Sequence, residues 1–192
     1  MARIGEVAGS AIPEELRPLY ARFTGEYGDF TNQARVVAHS PAAFAHLYGL
    51  IDAWRREGSL SRRVVEVAVV TTSRVNECAY CVGHHGTTLI ELGLSPATVE
   101  NILAAEVPGL DACELAVRDY ARLVAERAWG IPDRVFDALR EHFDEAQIVE
   151  LTLRIGICVL FNKLNQALQL DMEASVRAAI EEAGLADVTG VR

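Results

Sequence analysis

No run of apolar residues in this chain approaches the ~20 that a bilayer-spanning helix needs. No basic segment leading into an apolar core opens it either, so neither a membrane span nor a secretory signal is expected. A surplus of positive charge is also missing. Eighteen Lys and Arg stand against 27 Asp and Glu, a formal charge of −9, which argues against nucleic acid or an anionic membrane surface as partner, because either needs a basic face. Low-complexity tracts are absent, and with 51% apolar and 23% charged residues the balance is that of a folded globular chain. Cysteine is scarce, four in 192 residues. The expected setting is the cytoplasm, where a Cys-x-x-Cys points to redox or metal chemistry rather than to a disulfide framework. Strand candidates are almost wanting too. The β-branched stretch 64–70 can be read as a buried strand, but no second segment is available to pair with it, so it is read as a helix.

What is there is a succession of helices in a single domain, 1–192, with 1–12 an irregular N-terminal arm. A short first helix follows Pro13, with Pro18 limiting regular structure to short pieces, and Gly25 to Asn32 reads as a loop. Ser40-Pro41 opens a helix by cap and first-turn proline, which Gly58 ends. Ser61 caps the next. The chain then turns near Arg74–Asn76, and Asn76 or its neighbour caps a helix running to Leu92 and closed by Gly93. Ser95-Pro96 starts another. Asp111 and Glu114 have the spacing of a capping box for a helix reaching about Trp129, and Gly130 to Pro132 is a break. Helices at about 133–142, 145–170 and 172–183 complete an all-α, multi-helix bundle. Displacing the chain by 84 residues lays Glu66 on Glu150, Cys78 on Asn162 and Cys81 on Asn165, which raises an internal helical-pair repeat.

The chemistry concentrates between Glu66 and His85. On one helix Cys78, Cys81 and His85 share a stripe, because residues seven apart differ by only ~20° and residues four apart face the same side. His84 points away. Glu66 lies too far along a straight helix to take part, but a hairpin turning near Asn76 brings it level with His85, and a carboxylate in so apolar a run needs such a partner. With Asn76 as cap, Cys78 falls in the first helical turn, where free N–H groups favour a thiolate. Two thiols three apart can attack and resolve in turn. Cys113 and Cys158, each isolated in a helical stripe, read as packing residues. His39, His46 and His142 read as packing, capping or surface groups, and Lys163 and Arg154 as ion-pair partners for carboxylates.

The pattern of Glu66, then Cys78-x-x-Cys81, then His85 resembles the active-site signature of the alkyl hydroperoxidase D and carboxymuconolactone decarboxylase superfamily. The stretch from Leu160 through Asn162 and Asn165 is similar to the C-terminal part of its peroxidase-related members, and the resemblance covers roughly 40–172. It implies a helical bundle of that type, a homo-oligomer (dimer, trimer or hexamer), and a thiol peroxidase acting on a hydroperoxide with no cofactor. Cys81 would be the peroxidatic thiol and Cys78 the resolving one, Glu66 and His85 would relay the proton, and a dithiol or protein would supply electrons. Tyr80 stands where the best-known hydroperoxidase members have histidine. Two alternatives remain: a decarboxylase-like enzyme, and a zinc-binding helical oligomer with the two thiols, His84 or His85 and Glu66 as ligands.

Overall fold

The computed structural model describes residues 2–27 and 30–189, and among them there is helix and no strand. After a 3-10 turn at Glu14–Leu16 come α1 (Arg17–Ala21) and a π-turn at Arg22–Glu26. Then follow α2 (Thr31–Val37) and α3 (Pro41–Ala43), the latter running through a second π-turn at Phe44–Tyr48 into α4 (Gly49–Glu57). The main body is α5 (Arg62–Val75), α6 (Ala79–Glu91), α7 (Pro96–Glu100), α8 (Ala112–Arg127), α9 (Asp133–Arg140), α10 (Glu145–Leu168), α11 (Ala174–Glu182) and α12 (Ala186–Thr189).

The all-round apolar helix is the central one. α5 packs against α6, α8 and α10, and a helix buried on every side has no polar face to keep. Val67, Ala68 and Val70 are fully enclosed. Thr71 and Thr72 are enclosed as well, and their hydroxyls donate back to the carbonyls of Val67 and Ala68, which satisfies them without a partner helix. Ser61 caps α5 by accepting from the Val64 N–H. Asp111 and Glu114 close a full capping box on α8, and Asp144 with Gln147 does the same for α10.

A second, smaller core lies on the other side of α10. Tyr20, Phe23, Ala34, Val37, Phe44 and Tyr48 pack there with Phe161, so the N-terminal third lies over the bundle as a cap. The arm has little regular structure but is tied down. Its Arg3 and Val7 amides donate to the carbonyls of Leu168 and Arg35, and Ile12 is buried.

Several boundaries differ from the sequence reading. The 25–32 loop is shorter than expected, because the π-turn reaches Glu26 and α2 starts at Thr31; its residues 28 and 29 lie outside the described residues. α8 tightens into a 3-10 turn at Ala128–Gly130, and the last long segment becomes helical only from Ala174. The 84-residue register does not copy a hairpin. It lays α5, its turn and the first half of α6 on α10, which runs unbroken through 24 residues.

Candidate active site

The turn between α5 and α6 is tighter than the sequence suggests. The Glu77 N–H donates to the Arg74 carbonyl at 3.2 Å and the Cys78 N–H to the Ser73 carbonyl at 2.9 Å. These are the two hydrogen bonds of a Schellman ending, and Glu77 holds the left-handed position at φ 56° that glycine usually fills. Without a glycine to mark it, that ending is invisible in the sequence. Two corrections follow. Asn76 ends α5 instead of capping α6, and the N-cap is Cys78, with extended φ and ψ of −88° and 90°. Cys78 is therefore not on a helical stripe with Cys81 and His85; it meets Cys81 from the cap.

Its sulfur lies 3.0 Å from Cys81 Sγ, both as free thiols. One hydrogen bond shared by two sulfurs means that the pair releases its first proton readily and holds the second. That bond to Cys81, aided by the amides of Asn162 and Asn165 and opposed by burial, lowers Cys78 to about 7. The same bond to Cys78, with burial and the negative charge of its neighbours, holds Cys81 well above the ordinary thiol range. Cys81 Sγ also accepts from the side-chain amide of Asn165 at 3.2 Å.

The hairpin brings Glu66 and His85 together. Glu66 Oε2 is 2.7 Å from His85 Nδ1, and the two side chains remain 12% and 22% exposed. His85, Glu66 and Cys81 all line one cavity of about 690 Å³ between the N-terminal cap and the bundle. Phe23, Tyr27, Phe30, Tyr48, Trp54 and Phe161 supply its aromatic wall. Cys78 is not among the lining residues; it sits behind Cys81.

His84 has a separate role. Its side chain is fully enclosed, its Nε2 is 2.9 Å from Glu173 Oε2, and its ring stacks on Phe30 at 4.1 Å. The Tyr80 hydroxyl donates to the other oxygen of Glu173 at 2.8 Å, and the Asn32 N–H donates there at 2.7 Å. Tyr80 thus joins a buried network anchoring the segment before α11. Burial pushes the Glu173 carboxyl up, but the hydrogen bond from His84, its charge and the Asn32 N–H outweigh this and hold it below the usual carboxylate range. Sequence reading did not single out Glu173, Gln33 or Tyr48; their contacts are long-range and follow no spacing rule.

The zinc alternative needs thiols, histidine and Glu66 around one centre. Among the described residues no group of three or more His, Cys, Asp or Glu side chains is placed to hold a metal ion. His84 is turned to Glu173 and His85 to Glu66. Cys158 is buried and pushed up to about 12 by that burial, as a packing cysteine should be. Arg154 pairs with Glu150 at 2.7 Å and lies over the Trp54 ring, whereas Lys163 is exposed.

This helical bundle, with a thiol pair and a Glu–His pair at one cavity, has known relatives. Residues 40–123 match the carboxymuconolactone decarboxylase family. The fold is similar to the alkylhydroperoxidase AhpD core of an uncharacterized peroxidase-related protein from Ralstonia eutropha JMP134, with a TM-score of 0.76 and 24% identity, covering 91% of this chain and 94% of that one. The debrominase Bmp8, solved in complex with 2,3,4-tribromopyrrole, is similar in fold at a TM-score of 0.77 and 17% identity, covering 95% of this chain and 100% of that one. YdfG, an uncharacterized protein of Bacillus subtilis (strain 168), is 23% identical over 122 residues, 62% of this chain and 82% of its own. Residues 40–123 thus carry the likeness to the carboxymuconolactone decarboxylase family, and the likeness over the rest of the chain is one of fold.

Proposed function

We propose that the protein is a thiol-dependent peroxidase of the alkyl hydroperoxidase kind. The observation that carries this reading is the layered arrangement of Cys81 on the cavity wall with Cys78 3.0 Å away and behind it. Cys81 meets a substrate first, and Cys78 is already within reach of whatever it becomes.

The steps balance without a cofactor. The Glu66–His85 pair takes the proton of Cys81, and the thiolate attacks the terminal oxygen of a hydroperoxide. An S–O bond forms as the O–O bond breaks. The departing alkoxide takes the proton back from His85 and leaves as an alcohol, with Cys81 oxidised to the sulfenic acid. The sulfur of Cys78 then attacks Cys81 Sγ; the hydroxyl leaves with the Cys78 proton as water, and a disulfide remains. A dithiol or a protein thiol pair reduces it and is itself oxidised to a disulfide. The retained thiol pair favours this reading over the decarboxylase alternative, which has no use for two adjacent sulfurs.

A homo-oligomer belongs to the same reading. Val149, Leu153 and Leu160 lie along one face of α10 and are 58%, 50% and 42% exposed, an apolar stripe at helical spacing that a second copy would cover.

The direct test adds an organic hydroperoxide to fully reduced protein and follows peroxide loss beside free thiols. One peroxide should disappear for each pair of thiols, with a Cys78–Cys81 disulfide found by mass mapping. In Cys78→Ser the reaction should halt at a trappable sulfenic acid on Cys81. Undiminished peroxide loss in Cys81→Ser would end this assignment.

A further inference from the structure

Cys81 Sγ is the end point of a chain of donors that comes from three separate elements. The Tyr48 hydroxyl donates to Gln33 Oε1 at 3.0 Å. The Gln33 amide donates to Asn165 Oδ1 at 3.1 Å, and the Asn165 amide donates to Cys81 Sγ at 3.2 Å. Every link points the same way, toward the sulfur. All four residues are buried, Gln33 at 4%, Asn165 at 3%, Cys81 at 2% and Tyr48 at 1% exposure.

Burying two amides and a phenol is costly unless each finds a partner, and a purely apolar packing would serve the fold as well. Aligned donors in a low-dielectric interior reinforce one another, and they place positive dipole ends where a negative charge would otherwise be unsolvated. Burial keeps the Tyr48 phenol well above its ordinary value, so it stays a donor. The neighbouring Asn162, whose amide also acts on the sulfur pair, accepts from the Asn76 amide and donates to the Ser73 hydroxyl, each at 3.1 Å, and so fastens the α5–α6 turn. Asn165 is the amide that donates directly to Cys81 Sγ, at 3.2 Å, among the described residues.

We propose that Asn165, aimed by Gln33 and Tyr48, stabilises the reacting thiolate of Cys81. Asn165 touches the reacting atom, whereas Gln33 and Tyr48 are positioning residues that act through it. The inference rests on Cys81 being the reacting thiol of the proposed peroxidase. The charged and titratable groups around Cys81 are Cys78 at the cap, Cys158 on α10, and Glu66, His85 and Tyr48 on the cavity wall. Beyond the Cys78→Ser background shared by every sample, none of the substitutions below removes a group that carries charge near neutral pH.

The test reads the sulfur without any peroxide, so a failed peroxidase assay leaves it standing on its own. In a Cys78→Ser background, Cys81 alkylation is followed across pH beside ultraviolet thiolate absorbance, with Asn165→Leu and Asn165→Ser compared to the background. Losing a donor to a charged acceptor should slow labelling at neutral pH about tenfold by moving its midpoint upward, with the limiting rate at high pH unchanged. Asn165→Ser, which keeps a hydroxyl donor, should recover part of that loss, and Gln33→Leu should shift the midpoint the same way by less. Should Asn165→Leu be too unstable to purify, Gln33→Leu and Asn165→Ser carry the comparison. An unmoved midpoint in a folded Asn165 variant, even with a lowered melting temperature, overturns the proposal and leaves Asn165 a packing residue.

Discussion

Glu66 Oε2 lies 2.7 Å from His85 Nδ1 although 19 residues separate them in sequence. The contact exists because α5 and α6 fold back on each other through the three residues Asn76–Cys78. It fixes the imidazole ring by one nitrogen, on a side chain that lines the cavity. Removing the carboxylate therefore unfixes the base without deleting it.

Glu66→Gln should lower peroxide turnover at least about tenfold through kcat, with little change in KM, since Glu66 orients a proton carrier and does not hold the substrate. Steady-state kinetics with an organic hydroperoxide and a dithiol checks this. An equal rise in KM with kcat intact would show that Glu66 serves binding.

The sulfur pair sets the pH profile. Cys78 is lowered to about 7, chiefly by its hydrogen bond with Cys81. A lowered value populates the anion at lower pH, so thiolate in the pair should rise as pH increases through about 7 and then level off. In Cys78→Ser no second sulfur shares the proton, and the midpoint should move toward or beyond the ~8.5 of a free thiol. Alkylation at neutral pH should then slow about tenfold or more, which labelling rates across pH will show.

Glu173→Ala should be costly for stability. It leaves the Tyr80 hydroxyl, the His84 ring and the Asn32 N–H without their buried acceptor, a loss of about 3 kcal/mol. The carboxyl is held below its unfolded value, so its contribution is full above the ordinary carboxylate range and fades as pH falls through the folded value. Melting curves should show the wild type approaching the variant below about pH 4, with the gap widest at neutral pH.

Leu153→Arg places charge in the middle of the exposed α10 stripe. Sedimentation should report a smaller assembly than the wild type at equal concentration, with helix content unchanged by circular dichroism. Identical masses would show that this face is not the contact.

Much was legible in the chain alone. The helical class follows from periodicity, caps and the want of strand partners: Ser61 and Asp111 cap where their spacing says they should. The meeting of Glu66 with His85 could be anticipated from the hairpin, because helical rise and a turn position are enough to say which residues come level. The exact turn could not, since its left-handed residue is Glu77 and carries no glycine signal, and spacing alone therefore puts Cys78 on a stripe instead of at the cap. Only the tertiary structure decided that Cys81 faces the cavity while Cys78 lies behind it, that His84 belongs to Glu173, and that Asn165 completes the sulfur's surroundings. Those relations join α6 to α10 and to the segment before α11 across long stretches of chain. Local spacing determines which way a side chain leaves its own helix, but what it meets depends on how the helices pack.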